Sequence, residues 1–273
     1  MASSVSQQAY AEAAEKLAAD TGTATAAQLA TVADEILSVA GLLRAQPRLR
    51  RALTDPARSG SDRAELLRSL LSGKLSQAAV DTLGKLVSGR FSRPAELLDV
   101  TERLGAETVL ASADKAGVLA DVEDELFRFG QIVSGNPQLA VTLSDPGAPA
   151  TRRVKLVEDL LKGKAQSATL RLVEVALEGF GGRSFESSLT RLVEMTAARR
   201  DREVAYVTVA RPLTDADEQA LAAKLAEMYG RQVSLKVDVD PSIIGGVSVR
   251  VGSDLYDGTI LRRLNAAKQA FAN

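Results

Sequence analysis

The chain is expected to be mainly α, with two tandem related helical bundles followed by a small α+β C-terminal domain. Three observations predict this. Sliding the sequence against itself by 90 residues lays Asp34, Glu35, Pro47, Leu49, Leu53, Asp55, Pro56 and Arg63 on Asp124, Glu125, Pro137, Leu139, Leu143, Asp145, Pro146 and Arg153. The match runs on without a gap: Leu66, Leu70, Leu71, Gly73, Lys74, Ala78, Gly89 and Arg93 fall on Leu156, Leu160, Leu161, Gly163, Lys164, Ala168, Gly179 and Arg183. Second, apolar residues make up 45% of the chain but aromatics only 4%, a composition of Ala, Leu and Val that suits packed helices. Third, beyond Arg200 the helical period gives way to strand-like alternation. A self-similar helical unit in tandem points to a protein that holds things rather than transforms them. At 273 residues, three units are expected, over 1–112, 113–200 and 201–273.

In the first copy, Ala9 to Ala19 carries Tyr10, Ala14 and Leu17 at three- and four-residue spacing and predicts an amphipathic helix ending before Thr21-Gly22. A second helix after Thr25 runs through Leu29, Val32, Ile36, Leu37 and Leu43. Pro47 opens a short third helix, where a missing N–H costs nothing. Thr54-Asp55-Pro56 breaks the chain, because the residue before a proline leaves the helical region and aspartate favours the turn. Ser61-Asp62 is expected to cap a helix from Arg63 to Ser72, in which Leu66, Leu67, Leu70 and Leu71 recur at helical spacing, closed by Gly73. Ser76 caps a helix through Val87, and Pro94 begins a long one through Leu97, Leu98, Val100, Leu104 and Leu110.

The second copy repeats the punctuation with helices from about Val118 to Val133, Pro137 onward, Arg153 to Leu161 and Ser167 to Leu177. A last helix spans about Phe185 to Arg200. In the tail, Glu203 to Ala210 is dense in β-branched residues and predicts a strand. Thr214 to Asp217 opens a helix through Tyr229 that closes at Gly230. Val233 to Val239 and Gly246 to Val251 alternate as strands. Asp257-Gly258-Thr259 leads to a final helix with Ile260, Leu261, Leu264 and Phe271. This strand-helix-strand-strand-helix order is an α+β arrangement.

Composition narrows function. Thirty-four Lys and Arg against 35 Asp and Glu supply no field for phosphate backbones, so nucleic acid is not an expected partner. Neither cysteine nor histidine occurs, which removes disulfides, thiolate chemistry, the commonest general base and the best transition-metal ligands. No cofactor is expected. No stretch approaches the roughly 18 uninterrupted apolar residues of a membrane span. Met1 to Gln8 lacks the pattern of a signal peptide, so a soluble cytoplasmic protein is expected, reaching a membrane only through partners.

Chemical motifs resolve into structural ones. Gly73-Lys74 and Gly163-Lys164 lack the upstream glycine and following hydroxyl of a phosphate loop and read as helix ends. Gly179-Phe180-Gly181-Gly182-Arg183 sits between helices and reads as a turn. Glu123-Asp124-Glu125 and Asp215, Asp217 and Glu218 complement helix dipoles. The run Arg44, Arg48, Arg50 and Arg51 reads as a solvated helix face, with a binding patch as the alternative.

The tail carries a family resemblance. Gly245-Gly246-Val247, Val251-Gly252 and Asp257-Gly258-Thr259 with Leu264 resemble the C-terminal signature of the ATP synthase delta subunit family, the oligomycin-sensitivity-conferring proteins. Ala197-Ala198-Arg199-Arg200, Glu203-Val204, Leu213-Thr214 and Gly230 to Leu235 match the family's approach to that signature. Tyr10-Ala11-Glu12-Ala13-Ala14 resembles its first helix, although Gln8 stands where arginine is common. Pro137, Leu139, Leu143 and Pro146 follow its helical pattern. The departure is the duplication, since most members have one bundle.

The resemblance implies a non-catalytic stator. Its N-terminal bundle would bind the N-terminal segments of alpha subunits on the catalytic head, and its C-terminal part the far end of the membrane-anchored b subunits, resisting torque on the cytoplasmic face of the membrane. Helix-in-groove binding suits such a task. The Ala-rich faces at 9–19 and 76–88 are expected to leave a groove bordered by Tyr10, Ala14, Leu17 and Leu83, residues that serve equally as core. Gly245, Gly246, Gly252 and Gly258 are expected in turns, and Asp257 as the cap of the last helix. A free-standing helical-repeat adaptor and a carboxylate enzyme using magnesium are the rival readings.

Overall fold

The computed structural model describes residues 3–145, 147–243 and 245–258. Pro146, Thr259 and the expected final helix with Ile260, Leu261, Leu264 and Phe271 lie outside them. The first copy comprises α1 (Ser4–Thr21), α2 (Ala26–Ala45), α3 (Pro47–Leu53), α4 (Gly60–Leu71), α5 (Gln77–Ser88) and α6 (Pro94–Lys115). The second comprises α7 (Leu119–Ser134), α8 (Pro137–Ser144), α9 (Ala150–Leu161), α10 (Ser167–Leu177) and α11 (Phe185–Arg199).

Local chemistry sets the helix ends. Thr25 and Gln28 form a reciprocal capping box on α2, and Ser76 and Ser184 cap α5 and α11. Helix α4 starts earlier than expected: its cap is Ser59, with Asp62 returning the bond to the Ser59 N–H, rather than the Ser61-Asp62 pair. Gly73 and Gly163 take φ of +73° and +70° past the ends of α4 and α9, a conformation that only glycine adopts without strain.

The duplication survives in three dimensions as repeated helix pairs. Helices α4 and α5 pack together as α9 and α10 do, and α2 packs on α6 as α7 does on α11. The α1–α5 pair recurs as α6–α10. Adding 90 to the bounds of α1 gives 94–111, which lies within α6. Helix α6 is therefore the last helix of the first copy and also the first helix of the second.

The cores follow this sharing. Leu97, Val100 and Leu104 of α6 lie in the first core with Tyr10, Ile36, Leu53, Leu67, Leu83 and Leu86. Ala106, Val109, Leu110 and Ala113 of the same helix lie in the second, with Leu126, Phe129, Leu143, Val157, Leu172 and Leu192. Helix α2 is divided likewise, with Val32, Ile36 and Val39 in the first core and Ala33 and Leu37 in the second. The bundles are fused through α2 and α6 rather than joined by a linker.

A four-stranded sheet follows α11 after a two-residue connection. Its strands are β1 (Arg202–Val209), β2 (Gln232–Val239), β3 (Val247–Val251) and β4 (Asp254–Asp257), in the order β2-β1-β3-β4. Strands β1 and β2 run parallel, joined by α12 (Asp215–Tyr229), whose Gly230 ends it at φ +68°. Strand β3 pairs antiparallel with both β1 and β4. Alternation sends Ala205, Val207, Val209, Val233, Val249 and Val251 into a third core with Leu225 of α12. It turns Val204 and Tyr206 toward the second bundle.

Strand β4 was not foreseen. Residues 252–253 make a two-residue hairpin turn with Gly252 at φ +55°, and the segment that follows it forms an edge strand. Asp257 ends β4, paired in register with Ser248. Gly258 donates its N–H to the Val247 carbonyl at 2.9 Å, and a Cβ there would lie 3.1 Å from that oxygen. Gly245 and Gly246, at φ +151° and +91°, form the turn before β3.

Candidate partner-binding faces

Of the four residues expected to border a groove, the structure brings Ala14 and Leu17 to one and puts Leu83 elsewhere. Leu83 is 1% exposed in the first core, because α5 lies directly on α1 and an ion pair between Lys85 and Glu12, 2.8 Å apart, bridges the seam. The space between these two helices is thus filled by the protein itself. The crevice opens on the other flank of α1, where Ala14, Leu17 and Ala18 face Leu29 of α2 and Leu104 and Ala111 of α6 across about 570 Å³. Periodicity alone identified the inward residues of α1 but not which neighbour would leave a gap.

Tyr10 does not line this crevice but is tied to its Glu107 wall. Its ring is buried, its hydroxyl donates to Glu107, and the Arg103 guanidinium lies 4.1 Å from the ring centre. Burial, and then the neighbouring Glu107 carboxylate, push its ionisation well above the ordinary tyrosine range. Arg103 in turn donates to Glu107 at 2.8 Å, so Tyr10, Arg103 and Glu107 lock α1 onto α6. On its outer side α1 leaves Gln7, Gln8, Ala11, Glu15 and Ala18 exposed.

Asp215, Asp217 and Glu218 lie in the first turn of α12 as the dipole reading expects, but Glu123, Asp124 and Glu125 sit past the first turn of α7 and, with their counterparts in α2, do another job. In α2, Glu35 accepts from the backbone N–H and the hydroxyl of Ser76, seating the start of α5. Its repeat counterpart Glu125 in α7 accepts from the Gln166 N–H at 2.9 Å and from the Thr169 hydroxyl, seating α10. The preceding aspartates reach outward to the next unit: Asp34 pairs with Arg171 of α10 at 2.6 Å, and Asp124 with Lys236 of β2 at 2.6 Å. Each copy uses the same two positions, one to close itself and one to hold its C-terminal neighbour.

The joint between the second bundle and the sheet is ionic and buried. Glu123 is wholly buried between Arg200 at 2.6 Å and Lys236 at 2.9 Å. Gln131 of α7 donates to the Val237 carbonyl at 3.3 Å and to the Asp238 carboxylate at 3.1 Å. Beside this joint a crevice of about 560 Å³ runs between α7, α11 and the sheet, lined by Phe127, Tyr206 and Arg250 among others. The Arg250 guanidinium lies 4.5 Å from the centre of the Tyr206 ring.

A further ionic link joins the two copies. Arg44 pairs with Glu102 of α6 at 2.6 Å and with Glu178, and Glu102 also accepts the Gly181 N–H at 2.8 Å. Burial raises the Glu102 carboxyl above its ordinary range against the pull of these donors. Arg44 and Arg50, from the run read as a solvated face, are thus engaged within the protein, Arg50 on the carbonyls of Leu43 and Arg44. Among the described residues no His, Cys, Asp or Glu cluster has the geometry to hold a metal ion.

The chain matches the family described as ATP synthase delta (OSCP) subunit twice, over residues 7–104 and 102–271, so the two matches meet inside α6. It is 58% identical to the ATP synthase subunit delta of Salinispora arenicola over 272 residues, covering 100% of this chain and 99% of the relative. Identity to that of Salinispora tropica is 57%, covering 100% and 99%. To that of Streptomyces griseus it is 44%, covering 98% and 99%.

Proposed function

The chain belongs to the ATP synthase delta (OSCP) subunit family, a non-catalytic peripheral-stalk component of the membrane-associated synthase, and from that premise we propose how its parts divide the work. The first bundle binds the N-terminal segments of alpha subunits at the outer face and crevice of α1, bordered by Ala14 and Leu17, with Tyr10 tied to its Glu107 wall. Leu83 supports that face from the core rather than touching the partner. The C-terminal sheet domain holds the far end of the b subunits, on the cytoplasmic side of the membrane.

One observation carries this reading: force entering at α1 has a packed path to the sheet. It passes through the first core, along the shared α6, through the second core and across the buried Glu123, Arg200 and Lys236 joint. A stator needs such a path, since torque on the head must be resisted without yielding at a hinge. Side chains packed at crystal-like density transmit strain in this way.

The test is a native-mass comparison of the full chain with the alpha-beta head, with a soluble C-terminal segment of b, and with both. A bridged complex containing one copy of this chain is expected. Binding to neither by a folded chain would return the protein to the free-standing adaptor reading.

A further inference from the structure

We propose that the chain carries a single helix-binding face, on α1, and that the equivalent face of the second copy is used up inside the molecule. The inference rests on the proposed role of α1 and adds its valency and the chemistry of its occupant. The repeat supplies the comparison. Five exposed positions along the middle of α1, Gln7, Gln8, Ala11, Glu15 and Ala18, correspond at an offset of 90 to Leu97, Leu98, Thr101, Gly105 and Thr108 of α6. Of these five, four are buried and Leu98 is half-buried.

At Gly105, in the middle of this face, the cover is α2, which packs along α6. A Cβ on Gly105 would lie 2.5 Å from Leu37 Cδ2 and 3.4 Å from Ile36 Cγ2, so the α2 stripe of Ile36 and Leu37 occupies the surface that α1 leaves open. The α6 residues suit permanent burial. Leu97 is apolar, Gly105 permits close approach, and the hydroxyls of Thr101 and Thr108 are satisfied within the helix by the carbonyls of Leu97 and Leu104, each at 2.6 Å. The α1 residues suit a reversible, hydrated contact: two glutamines, two alanines and Glu15.

This internal pair also describes the occupant. A helix lies on α6, so a helix fits α1, with small or apolar residues against Ala11 and Ala18. Glu12 is paired with Lys85, whereas Glu15 makes no ion pair among the described residues, so the occupant carries a cation opposite Glu15. In a tandem array only the first unit keeps this face free, because each later unit presents its first helix to the unit before it.

The experiment is a calorimetric titration of the full chain with a synthetic peptide of an alpha subunit's N-terminal segment, with stoichiometry checked by native mass. One peptide per chain is expected. Ala11→Arg and Glu15→Lys, both at exposed positions, should each weaken binding at least about tenfold while leaving the circular dichroism spectrum unchanged. Two peptides per chain would overturn the inference and leave the stator reading intact. So would one peptide whose affinity ignores both substitutions. No binding to the folded chain would remove both.

Discussion

Lys236 of β2 and Glu123 of α7 form an ion pair at 2.9 Å in which the lysine is 4% exposed and the glutamate fully buried. Two charges taken from water stay there only because each has more than one partner: Asp124 also binds the lysine and Arg200 also binds the glutamate. Removing one partner leaves the other charge under-compensated. Lys236→Met should cost about 3 kcal/mol in urea unfolding. The double variant Lys236→Met with Glu123→Leu should recover more than half of that, since an apolar pair can replace a buried ionic one. A single-variant loss below about 1 kcal/mol would mean the joint is held by Val204 and Tyr206 packing instead.

Gly89 lies where α1 crosses the end of α5. A methyl group there would meet the Ala9 Cβ at 2.4 Å and its Cα at 3.2 Å, a contact that no rotamer change relieves. Gly89→Ala should destabilise by about 2 kcal/mol through overpacking, although its backbone angles permit alanine. Adding Ala9→Gly should restore part of the loss despite the roughly 1 kcal/mol that glycine costs inside a helix. Two losses that simply add in thermal melts would refute the steric explanation.

Arg63 and Arg153 occupy the same repeat position and serve unequally. Arg63 donates to five carbonyls, those of Asp55, Arg58, Val87, Ser88 and Gly89, tying the α3–α4 turn to the end of α5. Arg153 donates to two, Leu143 and Leu177. With charge-assisted bonds contributing about 1.5–3 kcal/mol net, Arg63→Ala should lower stability by about 3 kcal/mol or more, and Arg153→Ala by about half as much. Equal losses in denaturant titrations would show that bond count is not the deciding quantity.

The buried Glu96 ties the first turn of α6 to the start of α1. Burial raises its carboxyl, but donation from the Ser3 hydroxyl at 2.9 Å, the Ser92 N–H at 3.1 Å and Arg93 at 3.4 Å outweighs burial and holds it below the ordinary range. An acid depressed on folding contributes stability above its unfolded value, about 4.3 for glutamate, and loses that contribution as pH falls through the folded value. Glu96→Gln should therefore reduce stability at pH 7 and flatten the acid limb of a stability-against-pH curve. A limb of unchanged slope would assign acid sensitivity to other carboxylates.

Sharing α6 predicts one unfolding event for both bundles. Leu104→Ala opens the first core and Leu110→Ala the second, each at a cost of about 2–5 kcal/mol. Both should shift the same calorimetric transition, because neither core keeps its wall once α6 leaves. Two separable helical transitions, each moved by only one substitution, would mean the bundles are independent.

The sequence by itself determined the repeat and most of the helices. The 90-residue repeat, Pro47, Pro94 and Pro137 at helix starts, and Gly73 and Gly163 at helix ends are local signals, set by what each backbone can adopt, and they stood within a few residues of the observed bounds. The alternation of β1, β2 and β3 and the Thr214 cap were legible for the same reason. The family signature marked the turns of the sheet domain.

Tertiary structure alone decided which faces remained open. Periodicity reports that Leu17 and Leu83 point inward, but not that α5 would seal one flank of α1 while α2 and α6 left a crevice on the other. The carboxylates of Glu123, Asp124 and Glu125 looked alike as helix-start charges, yet one is buried under Lys236, one reaches β2 and one seats α10. Nor does the repeat announce that one helix would serve both copies. The reason is physical: helix propensity and capping act over a few residues, whereas exposure and ion pairing depend on groups brought together from 40 to more than 100 residues apart.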